Sequence, residues 1–104
     1  MNITVQRLHE MRTNDEEHVL LDIREDSELA VASIEGALHV PMSAFLDRLE
    51  EVPKDTPLVV MCHIGGRSAQ VQNWLAGNGY DKAVNLEGGI SAWSAEIDPS
   101  VPTY

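Results

Sequence analysis

Cysteine is nearly absent: Cys62 is the only one in 104 residues. A lone thiol cannot form an internal disulfide, so a disulfide-stapled scaffold is excluded. A free thiol suits a reducing compartment, and a cytoplasmic location is expected. Basic residues are scarce as well, seven Lys and Arg against seventeen Asp and Glu, for a formal charge of −10. That balance argues against non-specific binding to nucleic acid or to an anionic membrane. Its simplest meaning is solubility, and nothing in the sequence locates an acidic face for a basic partner. Long apolar runs are missing. None approaches the roughly 20 residues that span a bilayer, and the opening "MNITVQRLHEM" lacks an apolar h-region, so no signal peptide is expected. His9, His18 and His39 are scattered without ligand spacing, so no metal site is expected.

What is present is ordinary for a globular chain, 43% hydrophobic and 23% charged, and its length fits one compact domain over residues 1–104. "ITV" (3–5) reads as a short strand and "QRLHEMR" as a helix with Leu8 and Met11 at helical spacing. "HVLLDI" is an apolar run that suggests a strand buried on both faces. "EDSELAVAS" reads as a short helix and "ALHVP" as a strand stopped by Pro41. "SAFLDRLEEV" predicts a helix with Ser43 as N-cap and Phe45, Leu46 and Leu49 on one side. "LVVM" (58–61) is the clearest strand. "RSAQVQNWLAGNG" predicts a helix with Val71, Trp74 and Leu75 on one stripe, ended by Gly77 to Gly79. "KAVNL" is a last strand, "GGISAWSAE" a last helix, and "DPSVPTY" a tail. Strands alternating with helices predict an α/β fold, a central parallel sheet with helices on both faces. Sites in such sheets form at the carboxyl ends of the strands, which is where Cys62 falls.

The loop after Cys62 is built for an anion. The nucleophilic form of cysteine is the thiolate, and the free group titrates near ~8.5. Gly65 and Gly66 permit backbone angles closed to other residues, so successive N–H groups can turn inward as an anion-binding nest. A helix starting near Arg67 or Ser68 adds its positive end. A cysteine held there is expected to be unusually acidic. A lone cysteine is most often a small buried hydrophobe, but here it shares a strand-to-helix turn with two glycines, an arginine and a serine. Arg67 either adds positive charge, or holds the loop by bonding carbonyls, or is an exposed helix residue. Ser68 is either an N-cap or a donor to the anion. His63 is adjacent to the cysteine and so faces away from it, a rim residue suited to substrate contact rather than to a general base.

"CHIGGRS" resembles the Cys-x-x-Gly-x-Arg-Ser active-site loop of the single-domain rhodaneses, and the resemblance runs through nearly the whole chain. Asp22, Arg24 and Glu28 in "LLDIREDSE" match the family's Asp-x-Arg-x-x-x-Glu. Ile34, Gly36, Ala37, Val40 and Pro41 match its Ile-x-Gly-Ala-x-x-Ile-Pro stretch. Gly88, Gly89 and Trp93 match its closing Gly-Gly-x-x-x-Trp. The resemblance implies the rhodanese-like fold and a sulfurtransferase, with no cofactor. A thiolate takes the sulfane sulfur of a donor such as thiosulfate as a persulfide, and a nucleophilic acceptor, cyanide or a thiol, removes it. Cys62 is then the nucleophile. The loop of His63, Ile64, Gly65, Gly66, Arg67 and Ser68 cradles the outer sulfur, with Arg67 and His63 attracting an anionic donor. Asp22, Arg24 and Glu28 are expected to be structural near the site, and Trp74 and Trp93 to be packing residues. The chain departs from the family at Ala32 and Ser33, where Gly-His is usual; this puts local packing in question rather than the mechanism.

Other classes fit less well. Phosphatases and arsenate reductases of similar fold need a loop with five residues between cysteine and arginine; here there are four, and the next position is Ser68. A non-catalytic binding module is weakened by the retained cysteine. A sulfur carrier serving a thiol protein partner would use the same persulfide and stays open.

Overall fold

The computed structural model describes residues 1–104. Five strands, β1 (Asn2–Ile3), β2 (Val19–Asp22), β3 (Leu38–His39), β4 (Leu58–Met61) and β5 (Ala83–Leu86), form one sheet in the order β1-β5-β4-β2-β3. Every neighbouring pair is parallel. Four helices connect and cover it: α1 (Val5–Thr13), α2 (Asp26–Leu29), α3 (Gly66–Ala76) and α4 (Gly89–Glu96). No helix is long and apolar enough to cross a membrane.

Successive side chains of a strand point to opposite faces, and the core divides accordingly. Leu20, Val59, Met61 and Leu86 pack with Val5, Leu8 and Met11 of α1 and Ile90 and Trp93 of α4. Leu21, Leu58, Val60 and Ala83 pack on the other face with Val71 and Leu75 of α3 and with Phe45. The expected two-sided cover is therefore present, and β4, all four residues buried, sits at the centre of the sheet.

Local differences from the expected elements have physical causes. Thr4 and Val5 do not extend β1; the Thr4 hydroxyl accepts the Arg7 amide at 3.1 Å and caps α1. Segment 43–52 is not an α-helix but two 3₁₀ turns, Met42–Ala44 and Leu46–Glu51, the second broken at Arg48 (φ −116°, ψ 19°). Arg48 donates to the His39 carbonyl and to Glu51. Ser43 caps nothing; its hydroxyl donates to Glu25 at 2.6 Å. With the helix goes its apolar face: Phe45 is buried, but Leu46 is 67% exposed. Trp93 is a core residue, whereas Trp74 is 39% exposed and meets Phe45 only by its edge. The two line a shallow apolar groove of about 220 Å³ with Met42, Leu46, Gln70 and Val71. Ala32 is buried and Ser33 exposed. Both border a depression of about 480 Å³ between Trp93 and the tail.

Candidate active site

Cys62 leaves the carboxyl end of β4 and α3 begins four residues later. The turn between them requires Gly65, whose φ is +109°. Its amide donates to Cys62 Sγ at 3.1 Å. Gly66 does not share that role: it has no positive φ, it opens α3, and a methyl group there would meet open space. The helix thus starts one residue earlier than expected and Gly65, not Ser68, occupies its cap position.

Ser68 lies in the first turn of α3, fully buried. Its hydroxyl is 3.2 Å from Cys62 Sγ and 2.5 Å from Asn85 Oδ1 on β5. One hydroxyl proton serves one acceptor at a time, so Asn85 and the sulfur compete for it. Burial pushes the Cys62 thiol up. The Ser68 hydroxyl and the amides of Ser68, Gly65 and Ile64 push it down and prevail, so the group is more acidic than an ordinary cysteine. Cys62 itself is 1% exposed, so the sulfur forms the floor of the loop.

The base of the loop is held by α4. Ile90 and Ser91 donate their amides to the carbonyls of Cys62 and His63, each at 3.0 Å. Gly89 makes this approach possible: φ is +57°, and a Cβ there would stand 2.5 Å from both carbonyl oxygens. Of the Gly-Gly pair read as a motif in the sequence, Gly89 is the one whose close packing the cysteine loop requires, whereas a Cβ at Gly88 would meet Ala92 of its own helix.

Around the loop the charges are paired. Arg24 and Asp22 form a fully buried pair at 2.7 Å, and Arg24 also donates to the Ala32 carbonyl. Arg67 bonds no loop carbonyl, and its side chain stays 36% exposed. It makes a two-pronged contact with Glu28, 2.7 and 2.8 Å. Those bonds hold the Glu28 carboxyl at about 2 against its ordinary 4.5 and raise the guanidinium further. Tyr104 completes the rim from the tail. Its ring stacks on that of His63 at 4.0 Å, and its hydroxyl accepts from Arg24 and donates to Glu28, each at 2.9 Å. His63 is half-exposed. The other histidines lie elsewhere, His9 against Trp93, His18 on the Glu16 carbonyl and His39 on the Arg24 carbonyl.

Sequence reasoning did not assign Asn85 or Tyr104 to this site. Asn85 carried a signal, a polar residue inside the strand "KAVNL", now seen to donate to the Gly65 carbonyl at 3.4 Å as well as facing Ser68. Tyr104 carried none, since nothing in "DPSVPTY" ties it to the cysteine loop.

The strand end therefore presents an α/β protein able to hold a single sulfur-centred anion on backbone amides and one hydroxyl. Comparison with known proteins gives this class its family. The family model for the rhodanese-like domain matches residues 4–96, and the chain belongs to that family. A putative sulfurtransferase of Bacillus subtilis is 39% identical over 97 residues, covering 93% of each chain. A sulfurtransferase of Allochromatium vinosum is 38% identical over 99 residues, 95% of this chain and 92% of that one. The chain also matches a chloroplastic rhodanese-like/PpiC domain-containing protein of Arabidopsis thaliana at 36% identity, spanning 99% of its own length but 37% of that protein. Among solved structures, a rhodanese-like domain protein of Staphylococcus aureus superposes with a TM-score of 0.84 at 32% identity, covering 99% of this chain and 97% of that one.

Proposed function

We propose that the protein is a sulfurtransferase of the rhodanese type that carries sulfane sulfur as a Cys62 persulfide. The observation that carries the reading is the convergence of the Gly65 amide and the Ser68 hydroxyl on Cys62 Sγ at the end of the central strand. In the first half-reaction the thiolate attacks the outer sulfur of a donor such as thiosulfate. The S–S bond of the donor breaks, sulfite leaves with its electron pair, and the enzyme holds Cys62–S–S⁻. In the second, cyanide or a thiolate attacks the outer sulfur, and the Cys62 thiolate is the leaving group. No net oxidation and no cofactor are involved. The loop donors are in place before the charge moves, which is the condition for effective stabilisation. Four residues separate Cys62 from Arg67, and Arg67 is engaged by Glu28; both features suit one sulfur atom better than a tetrahedral oxyanion. Ile64, on the loop and 67% exposed, favours an acceptor that brings an apolar surface, a thiol protein, over cyanide. A reducing compartment such as the cytoplasm suits a lone acidic thiol.

The test is intact mass after incubation with thiosulfate. The expected result is a gain of one sulfur, lost on treatment with cyanide and absent in Cys62→Ser. Thiocyanate production by Cys62→Ser at the parent rate sinks the assignment.

A further inference from the structure

Both arginines beside the loop are already paired with carboxylates. Arg24 is neutralised by Asp22 and Arg67 by Glu28. A carboxylate accepts about four hydrogen bonds, and Glu28 has four: two from Arg67, one from the Tyr104 hydroxyl and one from the Glu25 amide at 3.1 Å. It is therefore tied to three separate parts of the chain, the cysteine loop, the tail and its own helix start. The planar fork of an arginine is the natural seat for an oxyanion, and here a side chain of the protein already sits in it.

We propose that Glu28 is a specificity-determining residue, an internal carboxylate that occupies the Arg67 fork in place of an anionic reagent, and that Tyr104 is the positioning residue that keeps it there. The inference rests on Cys62 as the nucleophile, and on nothing about which donor it meets. A reagent with a negative head must displace Glu28 or approach it uncompensated, whereas a neutral reagent meets no such barrier. The site thus favours donors that carry little charge near the transferred sulfur.

Iodoacetate and iodoacetamide are nearly equal in size, differ in charge and both alkylate a thiolate. The ratio of their rates at Cys62 cancels changes in thiolate fraction and nucleophilicity. In Glu28→Gln the ratio of iodoacetate to iodoacetamide is expected to rise about three- to tenfold, the effect of removing one nearby charge at a protein surface. In Tyr104→Phe, which removes one donor from the carboxylate, it is expected to rise about twofold. A purely structural pair would change both rates together and leave the ratio where it was. An unchanged or lower ratio in both variants overturns the proposal, and if Glu28→Gln shows no thermal unfolding transition, Tyr104→Phe alone decides. A raised ratio together with absent sulfur transfer supports the proposal and overturns the sulfurtransferase reading; an unchanged ratio with intact sulfur transfer does the reverse. A Cys62 that neither reagent modifies overturns both.

Discussion

Cys62 combines two properties that usually exclude each other, near-complete burial and an acidic thiol. Low-dielectric surroundings favour the neutral thiol, so the acidity depends on individual donors, and removing one has a defined sign. Ser68→Ala deletes the hydroxyl at 3.2 Å. The pH midpoint for iodoacetamide alkylation is expected to rise, because one hydrogen bond to the thiolate is lost; a midpoint that stays put removes Ser68 from the site. Glu28 offers a second test. Its carboxyl lies at about 2 instead of 4.5 because Arg67 bonds the ionised form. A depressed folded value means stability that is fully present above 4.5 and lost as pH falls toward 2. The urea midpoints of the parent and Glu28→Gln should differ by a constant amount at neutral pH and converge near pH 2. At this scale the sequence pointed to Cys62 and its loop as the candidate site, because glycine, arginine and serine after a strand-end cysteine share a chemical rationale. It did not reveal that Arg67 pairs with Glu28, since that contact joins residues 39 apart and depends on how α2 sits over the loop.

Strands and long helices were legible and short connections were not, for one reason. "LVVM" and α3 are bounded by their own chemistry, a four-residue apolar run and a glycine at either end. Segment 43–52 has helical apolar spacing, yet its start is tied to Glu25 and its middle, at Arg48, to the His39 carbonyl, and it forms only tighter turns. Tertiary ties override a weak local preference. The two glycine pairs make the same point: all four positions look equally permissive in sequence, but only some are required. Gly89→Ala must place a methyl group 2.5 Å from two carbonyl oxygens at positive φ. It is expected to lower stability by about 2–4 kcal/mol and to reduce turnover by shifting the loop base. Gly66→Ala adds a methyl to open space in a regular helix. It is expected to leave the thermal midpoint unchanged or to raise it, by about 0.5–1 kcal/mol in stability. Equal losses in the two variants would contradict this assignment.

Over the whole molecule, the charge of −10 sets how a charged donor arrives. Thiosulfate is a dianion and approaches a field of its own sign, which salt screens. Its kcat/KM is therefore expected to rise about two- to fivefold between roughly 0.01 and 0.2 M potassium chloride; a fall would show that a local positive field at the loop outweighs the net charge. The general architecture could be read from the alternation of elements, because a parallel sheet needs a crossover between neighbouring strands. The strand order β1-β5-β4-β2-β3 could not, since it depends on which faces the helices choose. That order puts the two shortest strands, β1 and β3, on the outside, two residues each. An exposed sheet edge is a template on which a second copy can add a strand, and a two-residue edge offers too few free amides and carbonyls to start one. The protein should accordingly tolerate crowding at high concentration without fibrillar aggregation, its sheet closed to self-addition at both margins while Cys62 sits at the end of the middle strand.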